Sequence, residues 1–191
     1  PSGTVSQLVD AASGIHPRHS QYYIRTVRAD KKDPLTLFMT DAGFPVEDEN
    51  KKPETTAVFS FPVGAPKGAI TRHDMTAIDH LEIWQIYAEH WCEHKPSITV
   101  SVKEDEWMEV GAFVYDNFDT MSGVSFLPMS EHIYEQAPYQ DCTKKEHEEL
   151  LKRMPKKIDW KGLSKFERED NTISSQTLNC TGDVCEVVDL V

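Results

Sequence analysis

The run SITVSVKEDEWMEVGAFVYDNFDTMSGVSFL, residues 97–127, makes the clearest topological statement in this chain. Ser97–Val102 alternates β-branched and small polar residues and is expected to form a strand. Glu104 to Phe118 then changes period: Trp107, Val110, Val114 and Phe118 fall on one side of an amphipathic helix. Gly123–Leu127 is a second short apolar strand. Strand, helix, strand in so short a span is a βαβ unit, so a parallel pair with a right-handed crossover is expected. The fold class that follows is α/β, although one such unit alone would leave its sheet edges open.

The surrounding sequence supplies more of the same elements. A long helix is expected from about Asp74 to His90, burying Met75, Ile78, Leu81, Trp84, Ala88 and Trp91. Tyr22–Arg28 and Ala57–Val63 read as strands, the latter with Pro62 marking its end. Asp33, Pro34 and Gly43 mark the N-cap, first turn and stop of a short helix. Residues 46–56 read as a charged loop, and residues 6–14 could wind into a helix ending at Gly14. Thr143 and Glu146 form a capping box for a helix reaching Met154. After Pro155 the sequence turns polar, so an extended tail is expected from residue 156 to 191.

Composition narrows the function. The 191 residues can bury a sizeable core, and 39% apolar with 27% charged residues is ordinary for a soluble domain. No apolar run approaches the roughly 20 residues that cross a bilayer, and no signal peptide is evident, so a cytoplasmic protein is expected. A net charge of −12 argues against a nucleic-acid polymer as partner. An anionic substrate would have to be held by local geometry, such as backbone N–H groups.

Three stretches carry possible chemistry. The opening PSGTVS offers consecutive N–H donors, the hydroxyls of Ser2, Thr4 and Ser6, and a following helix, as a phosphate cradle would. It lacks the Gly-Lys-Ser/Thr of a P-loop, and such residues also cap helices routinely. CTGDVC places Cys180 and Cys185 with four residues between them, Gly182 letting the chain bend back. Such a pair suits disulfide exchange; the alternative is two incidental tail cysteines. HWCEH presents His90, Cys92 and His94, but a helix end where histidine complements the dipole is favoured over a metal site. His16, Arg18 and His19 in GIHPRH could line a polar site or be solvated.

Taken together, these pieces resemble the C-terminal part of a ribonucleotide reductase large subunit. PSGTVSQLVDAASGIHPR resembles the family's Pro-Ser-x-Thr-x-Ser-Gln loop followed by Gly-Ile-x-Pro, and CTGDVC its terminal Cys-x4-Cys. Between them YYIRTVRADKKDPL, FSFPVGAP, HWCEHKPSITVSV and SGVSFLP…QAPYQ look like the adenosylcobalamin-dependent (class II) branch. Pro128 and Met129 stand where the iron-dependent (class I) branch carries a Tyr-Tyr pair for radical transfer.

The resemblance implies a ten-stranded α/β barrel, of which residues 1–155 would be the C-terminal portion, with 156–191 a tail carrying the redox pair. It implies that Ser2, Gly3, Thr4, Val5 and Ser6 bind the phosphates of a ribonucleoside triphosphate or diphosphate. It implies that Cys180 and Cys185 regenerate the active site and are themselves reduced by a thioredoxin-like protein. Adenosylcobalamin is the implied cofactor, with no binding residues identifiable here, and no metal site is expected. The radical cysteine and the barrel thiols would belong to segments upstream of Pro1, so the chain is expected to be a fragment, inert alone. The competing readings are a class I diphosphate reductase subunit and a non-catalytic nucleotide-binding or redox module.

Overall fold

The computed structural model describes residues 5–129 and 135–167, and the backbone of 177–181 and 184–188. The chain divides into two compact units, Pro1–Tyr23 with Gly64–Ile133, and Ile24–Val63 with Tyr134–Val191.

The first unit contains the expected βαβ element. Strand β4 (Ile98–Val102) and strand β5 (Val124–Pro128) pair in parallel, Ile98 opposite Val124 and Val102 opposite Pro128, with helix α4 (Trp107–Asp116) between them. Gly123 adopts φ +70°, and a Cβ there would stand 3.2 Å from the Pro96 carbonyl, so glycine permits the strands to meet. Helix α3 (Ala77–His90) begins at a capping box in which Thr76 and Asp79 satisfy each other's backbone amides. Ala77, Leu81 and Trp84 of α3, with Ile98, Val100, Val102 and Val110, form one core, and Ile15, Phe113 and Phe126 pack against it. Each large side chain buried there contributes about 1.5–3 kcal/mol. Trp84 also donates its indole N–H to the Pro96 carbonyl at 2.7 Å.

Three residues expected on apolar faces are exposed: Trp107 at 39% in the first turn of α4, and, more fully, Trp91 at 81% and Phe118 at 72%. The apolar period continues past both helix ends, but the backbone does not. Trp91 caps α3 at φ −122°, and Phe118 lies beyond α4 in a 3-10 turn, so neither side chain follows its helix face. Helix α3 starts later than expected because Asp74 accepts from the amide and hydroxyl of Thr71 instead of entering the first turn. Helix α1 (Val5–Leu8) is likewise a single turn and does not reach Gly14.

The second unit is built on a sheet ordered β2-β3-β1-β6, where β1 is Tyr22–Asp30, β2 Val46–Asp48, β3 Thr56–Gly64 and β6 Tyr139–Asp141. The charged stretch after Pro45 is therefore partly strand, because Val46 packs on the core of Phe44, Ala57 and Phe59. Its Glu49 is buried and accepts from the amides of Lys51 and Lys52 at 2.9 and 2.6 Å. Pro62 lies within β3 and does not end it; antiparallel β2 pairs only with Ala57–Phe59, leaving that side of β3 without a described partner at Pro62. Helix α2 (Pro34–Asp41) has the expected caps, Asp33 accepting from Leu35 at 2.7 Å and Gly43 turning at φ +83°. Helix α5 (Lys144–Arg153) starts at the Thr143–Glu146 capping box.

Residues 156–167, expected to begin an extended tail, are packed. Trp160–Lys165 forms a 3-10 helix, Trp160 and Phe166 set their rings 5.4 and 5.7 Å from Phe38, and Ile158 joins the Phe44 core. Three apolar residues in this short stretch were enough to dock an otherwise polar segment. Further on, β7 (Thr177–Thr181) and β8 (Val184–Val188) form an antiparallel hairpin. No described helix is long and apolar enough to cross a membrane.

Candidate functional site

Of the proposed cradle, Ser2, Gly3 and Thr4 lie outside the described residues, while Val5 and Ser6 open α1. Ser6 is buried, and its carbonyl accepts from the amides of Val9 and Ala11 at 3.3 and 3.0 Å. Between those amides sits Asp10 at φ +49°, a left-handed conformation that stops the helix. Arg18, 7% exposed, reaches Asp10 with one guanidinium nitrogen, donating to its carbonyl oxygen and, at 3.0 Å, to its carboxylate. Burial works against the Arg18 charge, but hydrogen bonds to Tyr23 and Asp10 outweigh it and raise its pKa. The Arg18 backbone is fixed too: its amide donates to Ile70 and its carbonyl accepts from Arg72.

His16 anchors the same segment to the sheet. Its Nδ1 lies 2.8 Å from the Ser13 carbonyl, and its Nε2 accepts from the Thr99 amide of β4 at 3.0 Å. A carbonyl can only accept and an amide only donate, so the ring is the neutral Nδ1–H tautomer. The His80 ring lies edge-on to it at 5.6 Å and donates from Nε2 to the Ile15 carbonyl at 3.2 Å. Burial, then the neighbouring His16, pushes the His80 pKa down. His19 makes a separate edge contact with Tyr23. GIHPRH is thus a tether and not a solvated loop.

In the tail hairpin Cys180 and Cys185 are Cα partners, directly opposed. Opposed antiparallel residues have Cα atoms about 4.5–5.5 Å apart, inside the roughly 4.4–6.8 Å that a disulfide spans. The other two cysteines are free thiols. Cys142 is pushed up by burial and then by Glu146 and Asp141, which disfavours its thiolate. Cys92 lies beyond α3, its amide donating to the Tyr87 carbonyl. His90 ends α3 and His94 lies past it, so the two do not share a helix face. No group of three or more candidate ligands gathers for a metal among the described residues.

No family model matches the chain. An adenosylcobalamin-dependent ribonucleoside-triphosphate reductase of Euglena gracilis is 30% identical to it over 189 residues, covering 97% of this chain and 25% of that protein. The chain is homologous to one segment of the adenosylcobalamin-dependent ribonucleotide reductases. A Dictyostelium discoideum protein, named as a probable enzyme of the same kind, is 31% identical over 86% of the chain and 22% of its own length. The crystal structure of a B12-dependent (class II) ribonucleotide reductase shares the fold, with a TM-score of 0.71 and 22% identity over 87% of this chain and 24% of that one. The chain therefore spans about a quarter of the length of the curated relatives it matches.

Within this reductase segment, the sequence marked His16, Arg18 and His19 as a possible polar site, but held no signal that Asp10, Thr99 or the His80 ring would be their partners.

Proposed function

We propose that this chain is part of a ribonucleoside-triphosphate reductase that converts ribonucleotides to 2'-deoxyribonucleotides by thiyl-radical chemistry. The observation that carries this reading is homology along 97% of the chain to an enzyme of that name. The opposed Cys180 and Cys185 support it.

The loop Ser2–Ser6 holds the substrate phosphates through backbone N–H groups and the hydroxyls of Ser2, Thr4 and Ser6. With a chain charge of −12, such directed donors must replace a diffuse positive field. Cys180 and Cys185 act as the dithiol that restores the active site after each turnover. Their two thiols become one disulfide, and two electrons and two protons pass to the active-site disulfide, which opens to two thiols. A thioredoxin-like dithiol then reduces the tail pair by the same exchange, a reaction suited to the reducing cytoplasm. The β4–α4–β5 unit is one repeat of a ten-stranded α/β barrel completed by the upstream part of the same reductase.

Adenosylcobalamin is the cofactor we infer for the whole enzyme, where it supplies the radical chemistry. The open groove of about 470 Å³ lined by Phe38, Ala42, Ile158 and Phe166 also carries Asp41, Lys157, Asp159 and Lys165 at its walls, and nothing in it marks a corrin site. No cofactor contact is assigned to this chain.

The test is turnover by the full-length enzyme that contains this chain, given a ribonucleoside triphosphate and a dithiol reductant. Deoxynucleotide formation that requires adenosylcobalamin is expected. Strict dependence on a di-metal partner subunit would make it a class I enzyme, and no turnover under either condition would leave a nucleotide-binding or redox module.

A further inference from the structure

We infer that His16 and His80 form a pH-sensitive latch: the pair holds residues 13–16 against strand β4 only while both rings are neutral, and acidification releases that segment before the fold around it opens.

Geometry fixes the neutral form of His16. Its Nε2 accepts from the Thr99 amide at 3.0 Å and its Nδ1 donates to the Ser13 carbonyl at 2.8 Å, so both ring nitrogens are committed. A second proton can go only to Nε2, where it would set one N–H against another and break the bond to β4. The amide of Ile98, one residue earlier, donates to Gly123 on the β5 side. The Thr99 amide faces the other way, and His16 is the acceptor that holds it.

His80 meets the same segment from α3. It is 3% exposed and donates from Nε2 to the Ile15 carbonyl at 3.2 Å, its ring 5.6 Å from that of His16. A second proton on His80 would place a charge in the core. Burial, then His16, already lowers its pKa from the ordinary 6.5. Ile15 packs on that core, so withdrawal of residues 13–16 uncovers His80 as it frees His16. Both rings then meet water, and the open form takes up protons that the closed form refuses. The sign follows: as pH falls below about 6.5, the open form gains.

The surroundings supply no counter-charge to cancel this. Near the start of α3, Asp79 takes the amide and hydroxyl of Thr76 and faces Lys103. Glu106 accepts from the amides of Ala77 and Lys103. Strand β4 offers the uncharged Thr99 hydroxyl, which bonds Ser125, and beyond His16 the Arg18 guanidinium engages Asp10 and Tyr23. Among the described residues, the charge that bears on His80 is that of His16.

The test is hydrogen exchange at single residues in the full-length protein that contains this chain, from about pH 8 to about pH 5, with each rate corrected for the intrinsic pH dependence of exchange. Protection of the Thr99 amide should hold above about pH 7 and then fall, by up to about a hundredfold per pH unit, because release takes up two protons. The Ile98 amide should stay protected throughout. His16→Gln keeps an acceptor for Thr99 but cannot titrate, and the fall should flatten to at most about tenfold per unit. His16→Gln combined with His80→Gln should abolish it. The latch is overturned if Thr99 protection in the unsubstituted protein is constant across the range. Loss of Ile98 protection in step with Thr99 would mean general unfolding and overturns it too, as does a double variant with the original pH dependence. The first two outcomes need no substitution, so a variant that does not fold still leaves the latch open to refutation.

Discussion

The amide of Thr99 donates to Nε2 of His16 at 3.0 Å, across 83 residues of sequence, and so joins the segment behind the proposed phosphate loop to strand β4. His16→Ala removes this acceptor and the donor to Ser13. Thr99 is exposed, so water can take its amide, and the cost should be about 1 kcal/mol in a denaturant titration. His16→Phe, which keeps the ring but not the bonds, should cost as much. A smaller loss for Phe than for Ala would show that packing against His80 matters more than the tether.

His80 gives a pH dependence of known sign. Its folded pKa is lowered from the ordinary 6.5 by burial and then by His16, so the unfolded chain binds its proton first as pH falls. Stability from this group is therefore fully present above about pH 6.5 and is lost as pH drops from there through the folded value. Thermal unfolding measured from pH 8 down to about pH 5 should show this slope. His80→Gln, which retains a donor for Ile15, should flatten it. An unchanged slope would assign the effect to other groups.

Trp84 tests the core. It is 1% exposed and satisfies the Pro96 carbonyl just before β4. Trp84→Phe leaves that oxygen without its donor and removes part of the ring, for a loss of about 1–3 kcal/mol. Trp84→Ala should cost about 3–5 kcal/mol. Chemical denaturation of the two variants would check both figures, and equal losses would mean that the hydrogen bond, and not ring packing, carries the contribution of Trp84.

The tail pair has a kinetic signature. Cys180→Ser or Cys185→Ser in the full-length enzyme should reduce steady-state turnover with thioredoxin to a small fraction, while a single turnover of pre-reduced enzyme stays near normal. Equal loss in both assays would show that the pair is not a shuttle. Cys142→Ser serves as a contrast: its thiol is disfavoured as a thiolate, and the steady-state rate should hold.

Local signals in the sequence sufficed for several elements. The capping residues of α2 and α5 act within three or four positions, and the β4–α4–β5 unit is set by a change of apolar period inside one short run. The opposition of Cys180 and Cys185 needed only a tight hairpin. Helix ends were less legible. Trp91 and Phe118 keep the apolar spacing, yet the backbone leaves the helix before either can use it. Tertiary contacts alone decided the remainder. Asp10 and Arg18 are ordinary polar residues until a left-handed turn and a buried guanidinium bring them together. Ile158, Trp160 and Phe166 look too sparse to fold until Phe38 offers the two rings a surface and the Phe44 core takes Ile158. Composition and short-range spacing set which segments are regular, because those energies are local. Which polar side chains became anchors depended on partners far away in sequence, where burial turns a charge or a ring nitrogen into a fixed point.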